Sequence, residues 1–424
     1  MIGSGRGSGR GYDVVVVGLG LAGLVAAVAA TSRGARTLVV GRGHGTLRFR
    51  TGSIDVLGYR DGRPVAAPGD EVRALAEAAP EHPYALAADG LAPGLEAVRA
   101  ATAAAGLALV GSLDANRLVA TAAGTLRPSC LVPPSLTADW SGERVLVVGL
   151  AGFRDFQPEL VARVLPEAAA RHGLELTCLA MTVHVGPSGR RHLDGLELAR
   201  SFEDAAFRHD LVEALRGHLQ GATLVAMPAV LGLDRAPEVG AELSGALGVP
   251  LVELPSLPPS VPGVRLEQAL TAALRRAGAA VQVGPSARVG PESGPVAWVE
   301  LAGPGHPLRV PAGRVVLATG GLASGGLEVT IDEEIVETAA GLPVRREEGV
   351  LYGTGFLAPD GHPAHRAGVR VDAAMRPIGD DGAPLRPNLF AAGGLLAAAD
   401  RARERSADGI CCATGWRAGQ EAAA

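Results

Sequence analysis

The sequence has little of what marks several large protein classes. Aromatic residues make up only 3% of the chain, and no stripe of lysine and arginine interleaves with them, so nucleic-acid binding has little support. The four cysteines, Cys130, Cys178, Cys411 and Cys412, include no C-x2-C pair. Their spacing argues against zinc, an iron–sulfur cluster and a secreted disulfide scaffold, and it favours buried thiols in a reducing cytosol. Small-molecule chemistry remains as the function class.

Long apolar runs are also few. Residues 14–30 carry no charge and follow Arg6 and Arg10, an arrangement typical of a secretory signal. Three glycines at functional spacing interrupt the run, however, and a secretion signal or a membrane span has no use for them. We therefore expect mature structure here and no membrane-spanning segment. Residues 1–11 are rich in Gly, Ser and Arg, and we expect them to be disordered.

The remaining chain reads as alternating strands and helices. Residues 12–17 contain four consecutive valines and predict a buried strand, followed by a glycine turn, a helix ending near Ser32 and a strand over 37–40. Gly34 suits the end of that helix. Further elements are predicted as strands 144–148 and 174–180 around helix 157–171, a charged helix over 197–219, an irregular proline-punctuated segment over 251–263, helix 265–278, strands 280–283, 297–301, 309–310, 314–318 and 387–392, and helix 410–421.

This order predicts the fold class. A βαβ opening, a long insertion, a β-meander and a final glycine-rich strand indicate an α/β, Rossmann-like two-part flavoprotein fold, in which a parallel sheet with a β-meander carries an inserted cap domain. We expect a discontinuous flavin-binding domain over residues 12–60 and 262–424. Residues 61–261 would then form the cap.

The glycine turn is the main candidate for cofactor binding. Gly18 allows a tight turn, Gly20 lets the backbone approach a ligand, and Gly23 lets helix and strand pack closely. The unpaired N–H groups and partial positive charge of a helix N-terminus attract phosphate. The position after a buried strand and before a helix favours nucleotide binding over a structural turn with unused glycines.

One departure from the dinucleotide pattern follows the second strand. An acidic residue usually ends this strand and holds the ribose hydroxyls, but here Gly41 and Arg42 take its place. Arg42 could hold the 2′-phosphate of NADP. The same residues also suit a flavin without an anchored ADP moiety, such as FMN.

The polar loop over residues 46–55 lies where a flavin ring would rest, at the carboxyl ends of the strands. Arg48, Arg50, Ser53 and Asp55 offer an anion clamp and hydrogen-bond partners. A solvated polar loop explains the same residues equally well, and both interpretations stay open.

Motifs in collinear order over nearly the whole chain resemble one family, the B subunit of the anaerobic glycerol-3-phosphate dehydrogenase. The glycine turn at residues 18–24 opens the set, and the Pro-Pro-Ser segment within 257–265 is specific. The other motifs are T-G-S-I-D at 51–55, G-F-R-D-F-Q-P at 152–158, P-A-V-L-G-L at 228–233, A-T-G-G at 318–321, G-G-L at 325–327 and N-L-F-A-A-G at 388–393. Residues 399–408 replace a stretch expected to be richer in glycine and leave only Gly409 aligned.

The resemblance implies a flavin subunit of a three-subunit enzyme that oxidises glycerol 3-phosphate to dihydroxyacetone phosphate. It implies FMN as the cofactor, with FAD as the alternative. It also implies a sister flavin subunit and an iron–sulfur subunit that passes electrons to quinone, at the inner face of the cytoplasmic membrane. We expect cofactor contacts at Gly18, Gly20, Gly23, Arg42, Ser53, Gly320, Gly321, Gly393 and Gly409.

Candidates for substrate contact are Arg154, Asp155 and Arg265. Arginine suits a phosphomonoester, and a carboxylate could orient an alcohol or accept its proton. A structural ion pair would equally explain Arg154 and Asp155, and a first helical turn without a ligand would explain Arg265. Because no clear general base is visible, a non-catalytic electron-relay or assembly subunit stays open, as does an NADP-dependent reductase.

The remaining reactive side chains carry less. His362 and His365 lie close together, but their proline-containing loop makes metal binding a poor interpretation, and we expect no metal. Cys411 and Cys412 lie near the start of the last helix, where packing is the default role. Arg401, Arg403 and Glu404 are expected on a solvated face.

Overall fold

The computed structural model describes residues 11–186, 193–219, 221–356 and 358–424. The disorder expected over residues 1–11 therefore falls outside the described residues, apart from Gly11. The chain divides into two compact units. The first contains Met1–Gly45, Val72–Val98 and Thr271–Ala424, and the second contains Thr46–Glu71 and Arg99–Leu270.

Strands and short helices alternate along the whole chain. In chain order, the strands are β1 (Tyr12–Val17), β2 (Thr37–Gly41), β3 (Tyr59–Arg60), β4 (Arg63–Pro64), β5 (Arg117–Ala120), β6 (Leu126–Ser129), β7 (Arg144–Leu150), β8 (Thr177–Val183), β9 (Leu224–Pro228), β10 (Leu251–Leu254), β11 (Ala280–Val283), β12 (Ser286–Gly290), β13 (Trp298–Ala302), β14 (Leu308–Leu317), β15 (Leu327–Val329), β16 (Ile335–Glu337) and β17 (Leu389–Ala391). The α-helices are α1 (Leu21–Ser32), α2 (Pro68–Ala78), α3 (Pro83–Ala103), α4 (Pro158–Ala170), α5 (Gly195–Ser201), α6 (Ala205–Leu215), α7 (Ala236–Leu247), α8 (Val261–Arg276), α9 (Arg401–Glu404) and α10 (Ala407–Ala422).

The first unit contains a seven-stranded sheet in the order β11-β2-β1-β14-β13-β12, with β17 also paired to β14. Strands β11, β2, β1, β14 and β17 are parallel, whereas β12, β13 and β14 form an antiparallel meander. The valines of β1 are fully buried because helices cover both faces of such a sheet. The α/β Rossmann-like fold with a parallel sheet and a β-meander is thereby confirmed.

Strand β14 belongs to both parts of this sheet. Its first half pairs antiparallel with β13, where Val310 lies opposite Val299. Its second half pairs in parallel with β1 and β17, where Val316 lies opposite Val16 and Phe390. The separate strands predicted over 309–310 and 314–318 are therefore one strand of ten residues. Pro311 falls within it and marks the change of partner.

The second unit has its own parallel sheet in the order β10-β9-β7-β8. Helix α4 connects β7 to β8, and α7 connects β9 to β10. The direction of winding reverses at β7, because β8 lies on one side of it while β9 and β10 lie on the other. In such sheets the carboxyl ends at the reversal are the usual ligand position.

The division between the units differs from the expected one at residues 61–98. Helix α3 packs closely on α10, and side chains at Gly90 and Gly94 would collide with the carbonyl oxygens of Ala413 and Cys412. This contact lies between helices far apart in the sequence. Residues 72–98 therefore join the first unit rather than the insertion.

Two local predictions are wrong. The helix predicted over 197–219 is two helices, α5 and α6, because the carboxylate of Asp204 accepts a hydrogen bond from the N–H of Ala206 at 2.9 Å and starts a new helix. The segment 251–263 is regular at both ends, where it forms β10 and the start of α8. Pro262 fits the first turn of α8 because a helix does not use the N–H groups there.

Candidate functional site

Three glycine turns lie at one edge of the seven-stranded sheet. Strand β1 ends before Gly18, β14 runs into Thr319, Gly320 and Gly321, and β17 runs into Gly393. Because β1, β14 and β17 are parallel, their carboxyl ends meet at the same edge. This is where ligands bind in open α/β sheets.

The turn before α1 needs its glycines for space. Gly18 has a φ of +127°, and a side chain there would collide with the carbonyl of Ala318. A side chain at Gly23 would collide with the carbonyl of Gly18. Gly20 differs from both, because a Cβ there would meet nothing within 4 Å and its backbone is ordinarily extended, with a φ of −77°. Open space at Gly20 is what a ligand approaching the backbone requires.

Helix α1 presents its N-terminus to this space. Gly20 is its N-cap residue, no side chain caps it, and its first turn carries no acidic residue. The partial positive charge of the helix end is therefore left for an anion to neutralise.

The turns after β14 and β17 contact each other directly. A Cβ at Gly321 would lie 2.9 Å from the carbonyl oxygen of Gly394, and the N–H of Gly393 donates to Thr414 Oγ1 at 2.9 Å. A side chain at Gly393 would also collide with Ala22 of α1. The structure thus brings Gly18, Gly20, Gly23, Gly320, Gly321 and Gly393 together, as predicted for one site.

Thr319 is a site residue that sequence reasoning missed. Its hydroxyl oxygen is buried and has no hydrogen-bond partner among the described residues. Buried hydroxyl groups are normally hydrogen-bonded, so one left without a partner at a ligand-binding edge points to a ligand atom. An orphaned donor beside an open backbone turn fits a cofactor bound here.

Arg42 and Gly409 lie less centrally. Arg42 is exposed just after β2, and a Cβ at Gly41 would lie 3.2 Å from the backbone nitrogen of Leu19 in the glycine turn. Gly409 is buried in the first turn of α10. Neither position has an acidic side chain that could hold a ribose.

Ser53 lies in the second unit, within a buried polar network centred on Arg127. The guanidinium of Arg127 is 2% exposed and contacts Asp55, Thr51 and Ser53, the last at 2.7 Å. The hydroxyl of Ser129 donates to Asp55 at 2.5 Å. These contacts hold the Thr51-Gly52-Ser53 loop in one conformation. Arg127 was missed because it lies more than 70 residues from the loop.

Arg154 and Asp155 follow the carboxyl end of β7. Phe153 and Phe156 on either side are buried, and this turns the two charged side chains outward. Within the part of the chain that the structure describes, no ion pair joins Arg154 to Asp155. The structural ion pair offered as their alternative explanation is therefore absent among these residues.

Arg265 is buried instead of exposed. Its guanidinium binds both carboxylate oxygens of Glu253, at 2.7 and 2.9 Å, and its Nε donates to the carbonyl of Gly232 at 2.8 Å. Glu253 is fully buried and also accepts from Ser135 and from the N–H of Leu231. The arrangement ties β10 and α8 to the loop after β9.

The thiols and the remaining basic residues are mostly engaged or buried. Burial raises the pKa of the Cys130 and Cys178 thiols to about 12, so both are protonated and unreactive at neutral pH. No group of three metal-ligating side chains occurs among the described residues. Arg401 is not on a solvated face as expected, because it donates to the carbonyl of Leu396 at 2.9 Å.

Comparison with known proteins places this chain among flavoproteins. A family model described as FAD binding domain matches residues 13–410. The B subunit of the anaerobic glycerol-3-phosphate dehydrogenase of Pectobacterium atrosepticum is 37% identical, over 80% of this chain and 81% of that protein. The protein of the same name from Pectobacterium carotovorum is 35% identical over 91% and 92%, and a probable one from Halobacterium salinarum is 33% identical over 97% and 97%.

These matches cover most of the chain at identities above 30%. The chain therefore belongs to the FAD binding domain family and, within it, to the family of B subunits of the anaerobic glycerol-3-phosphate dehydrogenase. The resemblance inferred from the sequence motifs is confirmed. Among the described residues, no helix is both long and apolar enough to cross a membrane.

Proposed function

We propose that this chain is the flavin-carrying subunit of an anaerobic glycerol-3-phosphate dehydrogenase. It oxidises glycerol 3-phosphate to dihydroxyacetone phosphate and passes the electrons through an iron–sulfur partner subunit to quinone. The names of its relatives support the substrate and the multi-subunit assembly. The observation that carries the flavin is the open backbone at Gly20, which faces the uncapped N-terminus of α1.

The chain's own residues would hold the cofactor in a simple way. The first N–H groups of α1 donate to its phosphate, and Gly20 allows the phosphate to approach. The Thr319 hydroxyl donates to a polar atom of the cofactor, which supplies the partner it lacks. Once bound, the flavin supplies the two-electron acceptor for alcohol oxidation.

FMN is the flavin we propose, and FAD is the alternative. The residues after β2 favour FMN because Gly41 and Arg42 stand where a ribose-binding carboxylate is usual. The description of the matching family favours FAD. The mass of the released cofactor decides between them.

For the substrate, Arg154 and Asp155 are the contacts we propose in the second unit. Both are exposed at the carboxyl end of β7, beside the point where its parallel sheet reverses its winding. Arg154 would bind the phosphate and Asp155 a hydroxyl. The guanidinium of Arg265 already binds Glu253, so its proposed substrate contact requires that pair to rearrange.

The partners we propose are a sister flavin subunit and the iron–sulfur subunit. The described chain offers no group of three metal-ligating residues that could carry electrons onward. We propose that these partners hold the chain at the inner face of the cytoplasmic membrane.

The test begins with the purified chain. An absorption spectrum and the mass of the released cofactor identify the flavin, and anaerobic addition of glycerol 3-phosphate should bleach it. NADPH should leave it oxidised, and bleaching by NADPH alone would instead support the reductase alternative. If glycerol 3-phosphate bleaches this flavin only in the assembled complex, the chain is an electron-relay subunit. If no flavin is bound under any condition, the proposal fails.

A further inference from the structure

A histidine and an aspartate form a pair in the first unit that neither the motifs nor the glycine turns explain. His365 lies in a short 3-10 turn, Pro363–Arg366, and its Nδ1 is 3.7 Å from Oδ1 of Asp400. That Nδ1 is buried and has no hydrogen-bond partner among the described residues. The His365 side chain is nevertheless 39% exposed. The accessible part of the ring is therefore the side that carries Nε2.

The carboxylate of Asp400 is held in place. It is 7% exposed, its Oδ1 accepts from the N–H of Arg403 at 3.2 Å, and its Oδ2 accepts from Arg366 at 3.3 Å. Gly361 has no side chain, and a Cβ there would collide with this carboxylate. The helix-capping contact and the ion pair explain Asp400. They do not explain why a buried imidazole nitrogen faces it without a hydrogen bond.

Short contacts connect this pair to the glycine turns at the sheet edge. Arg401 donates to the carbonyl of His365 at 3.4 Å, and its guanidinium lies 3.6 Å from the position of a Cβ on Gly321. The carbonyl of Arg366 accepts from the N–H of Ala398 at 3.0 Å, in the chain that leaves the turn after β17. The histidine thus lies in the segment that borders the candidate flavin site.

We propose that His365, oriented by Asp400, is the general base of the alcohol oxidation. This rests on the proposed function and adds to it the residue that takes the proton. The Nδ1–H of a neutral imidazole would donate to Asp400, which leaves the Nε2 lone pair to accept. The C2 hydroxyl proton of glycerol 3-phosphate passes to Nε2. The C2–H leaves with its electron pair to the oxidised flavin, and the ketone of dihydroxyacetone phosphate remains.

Histidine suits this role on chemical grounds. A neutral imidazole is the commonest proton acceptor near neutral pH, and a carboxylate that fixes its orientation is a recurring arrangement. The 3.7 Å separation is long for a hydrogen bond, but catalytic hydrogen bonds are often long without a ligand and shorten in the complex.

The experiment measures flavin reduction in a single anaerobic turnover of the holoenzyme. His365→Ala should slow reduction about 100-fold or more, the usual contribution of a general base. Added imidazole should restore part of the rate. Flavin content should stay normal, as should the affinity for dihydroxyacetone phosphate, measured by the shift in the flavin spectrum. His365→Gln should be as slow as the alanine variant, and Asp400→Asn, which can still cap α9, should lie between it and wild type.

The matched control is His362→Ala. Its ring lies 5.2 Å from that of His365, but its Nδ1 accepts from the N–H of Gly353 at 3.1 Å and its Nε2 lies 3.2 Å from the carbonyl of Phe356. Both nitrogens are engaged, so this variant should reduce at the wild-type rate.

The outcomes separate two failures. If glycerol 3-phosphate does not reduce the wild-type flavin even in the assembled complex, the proposed function and the base both fail. If wild type is reduced and both His365 variants match its rate, only the base assignment fails. Loss of flavin by both variants assigns His365 a structural role and also overturns it. So does a rate loss in Asp155→Asn that His365→Ala does not share.

Discussion

Arg265 and Glu253 form an ion pair in which both carboxylate oxygens meet guanidinium nitrogens, at 2.7 and 2.9 Å, with Glu253 fully buried. The same carboxylate accepts from Ser135 and the N–H of Leu231, so its lone pairs are largely used. Removing one partner leaves a buried charge, which costs far more than the pair contributes.

Arg265→Ala should therefore lower the free energy of unfolding by about 3–5 kcal/mol in urea denaturation. Arg309→Ala is the control, because its pair with Glu300 is largely exposed and should cost at most about 1 kcal/mol. Equal losses in the two variants would contradict the buried-charge argument. A role in substrate binding predicts something else: normal stability with a Michaelis constant raised about tenfold to a hundredfold.

Gly20→Val should abolish flavin binding without unfolding the protein. A Cβ at Gly20 meets nothing within 4 Å and its φ of −77° suits any residue, so the new side chain fills only the space left for phosphate. Flavin content per chain and thermal unfolding measure the two effects separately. Gly303→Val, also in open space, should leave both unchanged. Normal flavin content in the Gly20 variant would remove the turn from the site.

Thr319→Val should have opposite effects on the empty and loaded protein. Its buried hydroxyl has no partner among the described residues, so removing it should stabilise the flavin-free chain by about 1–3 kcal/mol. Flavin affinity should fall, because the cofactor loses a hydrogen bond. Thr414→Val is the contrast, since that hydroxyl accepts from Gly393 and should destabilise both forms when lost. Unchanged flavin affinity in the Thr319 variant would exclude the contact.

Glu404 should contribute pH-dependent stability. Burial raises the pKa of Glu404, but the hydrogen bonds and charge of His82, with those from Ser406 and the N–H of Asp400, more than offset this and lower it overall. A carboxyl with a lowered folded pKa stabilises above its unfolded pKa of about 4.3, and this is lost as pH falls through the folded pKa. Glu404→Gln should be less stable than wild type at pH 7.

The difference between Glu404→Gln and wild type should narrow below about pH 4.3, as measured by denaturation across pH. Glu77→Gln, on an exposed position of α2, should show a small difference at every pH. A gap for the Glu404 variant that is constant across pH would show that the carboxylate charge is not the stabilising feature.

Electron delivery should require the partner subunits. No helix among the described residues suits a membrane, and no group of three metal-ligating residues occurs there, so the chain alone lacks a visible route to a quinone in the bilayer. We expect the isolated chain to reduce quinone poorly with glycerol 3-phosphate, and we expect the iron–sulfur and sister flavin subunits to restore turnover. An isolated chain that reduced a quinone analogue at the rate of the complex would contradict the partner proposal.

The nucleotide-binding core could be predicted from sequence because its signals are local. The valines of residues 14–17, the glycines at 18, 20 and 23, and the glycine pairs after β14 and β17 each identify a strand end within a few residues. Parallel pairing then brings these ends together. Gly34 also ends α1 as expected, with a φ of +81°.

The rest depends on contacts between distant residues. Arg127 and Asp55 are 72 positions apart, and Thr319 is identified by a hydrogen bond that is missing among the described residues. The assignment of residues 72–98 follows from packing of α3 on α10, which periodicity within α3 does not reveal. Asp204 could have been recognised, since an aspartate before an Ala-rich start is a helix-capping signal.

Strand β14 makes the position of the cofactor turns depend on a region away from them. Its antiparallel half is fixed by β13, and its parallel half ends at Thr319 and Gly320. A single-residue deletion within the strand would shift those turns by about 3.3 Å along the sheet and reverse which side chains face the core. A deletion in the turn at residues 303–307 would leave the alignment intact. Length variation among natural sequences should accordingly collect in that turn and avoid the strand that follows it.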